Sequence, residues 1–320
     1  MLLLYVVDPA PAFGQSLADY LGVTIAPHEN RSFEDGEHKL RPLTDPRGSD
    51  AYVVCSLHGG PTSSPHDKLC HLLMFIATLH EHGAARVTAV VPYLAYARKD
   101  RQTKPFDPVT LRYVAQLFEA VGTAQLIVLE AHNVAAFQNA FRCLTVHIEA
   151  HRAFDNTARE LAGDGALAVA SPDPGGVKRA QLWRESLAQT LRQPVGFAMV
   201  DKRRSAGVVS SENLVAGDVD GMTVLLLDDI IAGGGTMRRA ALALRRAGAR
   251  KVVAFAAHGL FTGPAADVLA DDSIAIIAVT DSVPPFRLAP GVKLHGKLSI
   301  ASAVPLFSQA IQSCHAAWSR

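Results

Sequence analysis

Residues 223–248, TVLLLDDIIAGGGTMRRAALALRRAG, leave this chain few ways to fold. The apolar run from Thr223 to Leu227 has the length and composition of a parallel strand covered on both faces. Two carboxylates, Asp228 and Asp229, stand at its carboxyl end, followed by Gly233, Gly234, Gly235 and the hydroxyl of Thr236. Beyond them Met237, Ala240, Ala241, Leu244 and Ala247 recur at helical spacing, with Arg238, Arg239, Arg245 and Arg246 on the other side and Gly248 as the stop. A strand, a glycine turn and a helix in that order belong to a parallel sheet flanked by helices, so the predicted class is α/β.

The same order carries chemistry. Glycines between a strand and a helix let the backbone approach an anion with several N–H groups turned toward it, and the helix N-terminus adds positive potential. A phosphate is therefore expected at residues 233–236. Carboxylates beside it accept from sugar hydroxyls or hold a magnesium ion. The plainer alternative is a flexible turn whose aspartates only cap the helix.

With 320 residues the chain has room for two domains. Apolar residues make up 49% and charged ones 19%, which fits a packed globular protein and excludes a disordered one. The net charge of +1 argues against a bulk nucleic-acid binder, so any basic site must be local. The opening run MLLLYVV breaks at Asp8 and Pro9 and reads as a first strand, not a signal peptide. No apolar stretch reaches membrane-spanning length. Cys55, Cys70, Cys143 and Cys314 show neither CxxC pairing nor metal spacing and read as reduced thiols of a cytoplasmic protein.

Strand-like and helix-like segments alternate from the start. Strands are predicted at 1–7, 51–57, 86–92 and 125–129, with helices at 14–21, 68–82 and 108–120. The scheme repeats with strands at 167–170, 195–200, 224–227, 251–257 and 274–279, and a last helix at 304–318 that packs back on the body. The boundary is placed near residue 150, giving domains 1–150 and 151–320.

Five further stretches put polar groups at predicted strand ends. FEDGE, residues 33–37, is an acidic turn. YLAYARKDRQ, residues 93–102, offers Arg98, Lys99 and Arg101, whose clustered charge favours a polyphosphate. His132 lies in EAHN just past a strand, and Asp173 in the rigid turn SPDPGG. Asp201-Lys202-Arg203-Arg204 ends a strand where a loop closing over transferring phosphates would need cations. Each has a bland counterpart in ordinary turn or surface chemistry. There is no GxxxxGK[ST] and no GxGxxG, so a bound nucleotide would use neither a P-loop nor a dinucleotide fingerprint.

Taken in order, FEDGE, PYLAYARKDR, EAH, SPDPGGVKRA, VDKRR and LLLDDIIAGGGT resemble the ribose-phosphate pyrophosphokinases, the phosphoribosyl pyrophosphate (PRPP) synthetases. The resemblance runs from about residue 14 to 311. It implies two phosphoribosyltransferase-type α/β domains, assembled as dimers within a hexamer. It also implies transfer of pyrophosphate from ATP to ribose 5-phosphate, with Mg2+, giving PRPP and AMP. On this chain Asp35 and Glu37 would meet the adenine end of ATP across a subunit interface, and Arg98 and Lys99 would hold ATP with Arg101 in the same wall. His132 and Asp173 match magnesium-associated positions, with His132 also at the ATP. Lys202 and Arg204 match the catalytic cations. Asp228 and Asp229 would take the ribose hydroxyls, and Gly233, Gly234, Gly235 and Thr236 the 5-phosphate. Ala232 and Gly233 stand where the family usually carries Asp and Thr, Glu130-Ala131 where it has D-L, and Lys99 where it has Gln. Two other classes stay open at this point: a non-catalytic nucleotide-binding regulator, and a phosphoribosyltransferase that consumes PRPP.

Overall fold

The computed structural model describes residues 1–7, 11–162, 165–205 and 208–318, and forms two compact units. The first comprises Met1–Glu149 and Ala303–Arg320, the second Ala150–Ser302.

In the first unit β1 (Leu2–Val6) leads to α1 (Ala12–Leu21) and a hairpin of β2 (His28–Ser32) and β3 (His38–Pro42). Then β4 (Asp50–Val54), α2 (Pro65–Glu81), β5 (Arg86–Val91), α3 (Thr110–Ala120), β6 (Gln125–Leu129), α4 (Val134–Ala140) and β7 (Leu144–Ile148) alternate. The sheet order is β1-β4-β5-β6-β7, all parallel. Strands β4 and β6 are buried throughout, as the apolar residues that follow Asp50 and Gln125 require. Helix α2 starts earlier than its apolar spacing predicts because Ser64 and Asp67 form a reciprocal capping box ahead of Pro65 and His66.

Hairpin β2–β3 carries no apolar pattern for periodicity to find, whereas β7 alternates Leu144, Val146 and Ile148 with Thr145 and His147, a short strand signal absent from the predicted set. The hairpin is held by its backbone ladder and by Glu29 between Lys39 and Arg41. Its grip on α2 includes the imidazoles of His38 and His71, stacked with ring centres 3.8 Å apart. Burial lowers the pKa of both, and His38 lowers that of His71 further while Asp67 opposes it. A histidine whose folded pKa is lowered contributes stability above its unfolded value and loses it as pH falls through the folded one. Amide protection factors across residues 28–42 should therefore fall as pH drops below about 6.5, and His71→Gln should flatten that dependence. Equal pH dependence in both proteins would show that the stack is not the cause.

The last helix, α9 (Val304–Trp318), joins the first unit, not the domain with which it is contiguous in sequence. The reason is a buried polar knot. Arg86 chelates Asp50 through Nε and Nη2, each 2.7 Å from a carboxylate oxygen, and donates to the Cys314 carbonyl at 3.1 Å. His315 Nδ1 lies 2.7 Å from Asp50 Oδ2, the oxygen that also accepts from Arg86 Nη2. Asp50 is wholly buried, so the arginine, the histidine and the helix that carries it are drawn to one place.

The second unit holds α5 (Asp155–Ala162), β8 (Leu167–Ser171), α6 (Val177–Leu191), β9 (Val195–Ser205), β10 (Val208–Ala216), β11 (Thr223–Ile231), α7 (Gly235–Arg246), β12 (Lys251–Gly259), α8 (Ala265–Leu269), β13 (Ile276–Thr280) and β14 (Leu298–Ala301). Its sheet order is β10-β9-β8-β11-β12-β13-β14, parallel except for the β9–β10 hairpin. One face is covered by a core around Leu226, Met237 and Leu244, the other by a core around Leu227, Trp183 and Phe255. Strand β11 runs four residues past its predicted end, because Asp228, Ile230 and Ile231 stay in register with Ala256, His258 and Gly259. Among the described residues no helix is long and apolar enough to cross a membrane.

Candidate functional site

Strand β11 delivers Asp228 and Asp229 to the carboxyl end of the second sheet, where open α/β sheets form ligand crevices. Its neighbour β8 ends in the SPDPGG turn. There Ser171 Oγ donates to the Asp173 carbonyl at 2.6 Å, and Asp173 Oδ1 accepts from the Gly175 amide at 2.9 Å, opening one 3-10 turn over Pro174–Gly176. A Cβ at Gly176 would lie 2.7 Å from Ser171 Oγ and 3.9 Å from the Leu227 carbonyl, so only glycine lets the turn close against β11 and launch α6.

The first turn of α6 points a cation back at the strand. Arg179 Nη1 lies 3.5 Å from Asp229 Oδ1 and 3.9 Å from Asp228 Oδ1, with only 12% of its side chain exposed. The Asp229 amide donates to Asp228 Oδ1 at 2.9 Å. Asp228 keeps 19% of its side chain in solvent, yet its pKa is pushed well above the usual carboxylate range. Burial at the strand end is the largest cause and the neighbouring Asp229 the next, while Arg179 pulls the other way. Two carboxylates and one arginine form a site with acceptors for hydroxyl groups and less negative charge than its carboxylates alone would give.

The glycine turn follows directly. Gly234 has φ +76°, and a Cβ there would sit 2.6 Å from Leu269 Cγ. The loop is tied down by the Leu260 and Thr262 amides, which donate to the Ile231 and Ala232 carbonyls at 2.8 and 3.0 Å. Helix α7 then begins at Gly235 with no side-chain cap and no acidic residue in its first turn. Its first N–H groups are left for whatever anion the turn receives.

In the first unit the basic wall follows β5 and the EAHN turn follows β6. Asp100 joins them: it accepts from Asn133 Nδ2 at 2.6 Å and from Arg101 Nε and Nη2 at 3.0 and 2.8 Å. Arg101 chiefly, and Asn133 with it, lower the Asp100 pKa. Asn133 also caps α4 through the Ala136 amide. His132 is thereby set at the carboxyl end of β6, after Glu130, which is buried and strained at φ +44°. Arg98 and Lys99 are exposed, with Lys99 Nζ 3.9 Å from Asp107. The FEDGE turn is the exposed tip of β2–β3, where Asp35 Oδ1 accepts from the Glu37 amide at 3.0 Å. Helix α2 touches both elements, His71 stacking on the hairpin and His66 bonding the Tyr96 hydroxyl at the root of the wall.

The structure thus gathers Asp228, Asp229 and residues 233–236 at one sheet end in the second unit, with Asp173 on the adjoining turn. It gathers Arg98, Lys99, Arg101 and His132 at another in the first. Lys202 and Arg204 belong to β9, with backbones paired to Asn213 and Val209 of β10, where a loop mouth was expected. Their side chains, and residues 206 and 207 of the loop, lie outside the described residues. Among the described residues no group of three or more His, Cys, Asp or Glu side chains forms a metal cage. Sequence reasoning passed over Arg179, Asp100 and Asn133. A signal for Arg179 existed: Lys178 and Arg179 open a helix against its dipole, which calls for acidic partners elsewhere.

A family model described as the N-terminal domain of ribose phosphate pyrophosphokinase matches residues 2–122, and a phosphoribosyl transferase domain model matches residues 145–272. A ribose-phosphate pyrophosphokinase of Caldanaerobacter subterraneus subsp. tengcongensis is 33% identical, covering 98% of this chain and 95% of its own. One from Listeria ivanovii is 34% identical over 94% of this chain and 90% of its own. The crystal structure of phosphoribosylpyrophosphate synthetase from Mycobacterium smegmatis superposes with a TM-score of 0.85 at 30% identity, covering 98% of both chains.

Proposed function

Because this chain belongs to the ribose-phosphate pyrophosphokinase family, a diphosphotransferase acting on ATP and ribose 5-phosphate, we propose how its own residues divide that work. The observation that carries the reading is the pair Asp228–Asp229, clasped by Arg179 and followed at once by the glycine turn and the open first turn of α7. Acceptors for two vicinal hydroxyls stand beside a seat for a phosphate, which is the pattern of a sugar phosphate.

Asp228 and Asp229 hold the ribose hydroxyls, and the amides of 233–236 with the Thr236 hydroxyl hold the 5-phosphate. Arg98, Lys99 and Arg101 hold the ATP phosphates, with His132 beside them. Asp35 and Glu37 meet the adenine end of an ATP bound by a neighbouring copy, which makes the working form a homo-oligomer, dimer or hexamer. The anomeric oxygen bonds to Pβ as the bond from Pβ to the oxygen bridging Pα breaks, and AMP leaves with that oxygen. Lys202 and Arg204 neutralise charge on the transferring group. The metal assigned is Mg2+, which would bind mainly through substrate phosphates while keeping several waters, with Asp173 and His132 the residues proposed to hold it. When bound it screens the ATP phosphates and polarises them toward attack.

AMP release from ATP and ribose 5-phosphate in magnesium measures the proposal. Lys202→Ala should lower kcat by roughly 10²–10³, the usual cost of one charge-stabilising group. Turnover unchanged in that variant would remove Lys202 from its catalytic role.

A further inference from the structure

The phosphate seat just described is short of side chains. Ala232, Gly233, Gly234 and Gly235 offer no polar side-chain atom, and only the Thr236 hydroxyl adds to the backbone donors. Asp228 and Asp229 lie a few residues upstream, so an incoming phosphate dianion meets two carboxylates with Arg179 as the cation already bridging them. Backbone amides alone must offset that repulsion unless another cation stands close.

One does. Arg239 projects from α7 back along its own first turn, where its Nη2 reaches 3.4 Å from Thr236 Oγ1. Its Nη1 lies 3.2 Å from where a Cβ at Gly235 would stand, so the guanidinium lies over the bare backbone of the helix start. Two other arginines of this helix are engaged elsewhere: Arg238 pairs with Asp271 at 2.7 Å, and Arg245 donates to the Ala249 and Arg250 carbonyls. Arg239 has no carboxylate partner among the described residues. A cation held near a helix N-terminus is unfavourable with respect to the dipole unless an anion lies between them. The side chain is exposed, so an incoming ligand has access to it.

We propose that Arg239 is a specificity-determining residue of the sugar-phosphate seat. Its planar fork bonds the outer phosphate oxygens in two-point fashion and makes the seat select a phosphate dianion, in place of the side-chain donor that the glycine turn lacks. This rests on the assignment of residues 233–236 to the 5-phosphate.

Calorimetry with ribose 5-phosphate, and steady-state kinetics on the full chain, test it. Arg239→Gln should weaken ribose 5-phosphate binding by about tenfold, which is the loss of one charge-assisted contact. KM for that substrate should rise alike, with kcat within about twofold and KM for ATP unchanged. A structural role alone would not produce that split. Arg239→Lys should recover part of the loss, and the steep salt dependence of binding should flatten in Arg239→Gln. Adding Gly233→Thr to Arg239→Gln should restore affinity through a new hydroxyl, since a Cβ at Gly233 meets only the Thr262 carbonyl at 3.8 Å. Unchanged ribose 5-phosphate affinity in Arg239→Gln, with Thr236→Ala weakened, overturns the role of Arg239 and leaves the seat in place. Unchanged affinity in both variants overturns the seat as well.

Discussion

Replacing Arg179 with methionine should raise KM for ribose 5-phosphate by more than tenfold and move the acid limb of kcat/KM to higher pH. The guanidinium lies 3.5 and 3.9 Å from the two carboxylates and is the cation that opposes the upward pKa shift of Asp228. Methionine fills much of its volume without the charge, so two adjacent carboxylates share a mostly buried corner without that cation. Asp228 then holds its proton to higher pH, and a protonated carboxyl loses acceptor capacity toward a ribose hydroxyl. Stability moves the opposite way with pH. An acid whose folded pKa lies above its unfolded value contributes stability below the unfolded value and loses it as pH rises through the folded one. The variant should thus lose about 3 kcal/mol at neutral pH and recover part of it in mild acid. A pH–rate profile and urea melts at two pH values measure both, and an unmoved acid limb would detach Arg179 from the site's electrostatics.

Gly234→Ala should cost about 2–4 kcal/mol, from strain at positive φ together with overpacking, and abolish measurable ribose 5-phosphate saturation. The residue sits at φ +76°, and its new Cβ would lie 2.6 Å from Leu269 Cγ and 2.8 Å from Cδ2. Relief requires α8, which carries Leu269, or the start of α7 to move, and the latter displaces the amides proposed to hold the phosphate. Gly233→Ala is the matched control, because that position has no positive φ and its nearest neighbour stands at 3.8 Å. Denaturant midpoints and ribose 5-phosphate titrations compare the two. Equal stability for both alanine variants would show that the turn adapts and that Gly234 is not what fixes the seat.

Buried apolar runs made most of the architecture readable before any coordinates. Strands β4, β5, β6, β8 and the first five residues of β11 are buried almost throughout, so their largely apolar composition marks them. The ladder beyond Leu227 escaped because it depends on a long partner strand and not on the residues paired. Hairpin β2–β3 escaped because charged pairs and a histidine stack hold it.

The proposed phosphate seat can be read from the sequence because its parts are contiguous: a strand, two aspartates, glycines and a helix start fall within fourteen residues, 223–236. Its partners cannot, since Arg179 reaches Asp228 and Asp229 across about fifty residues of chain, and Arg86, Asp50 and His315 meet across more than two hundred. Local backbone preference and apolar periodicity act over a few residues and leave their mark in the order of the letters. Which charge faces which is fixed by the packing of whole elements, and that information exists only once the chain has closed on itself.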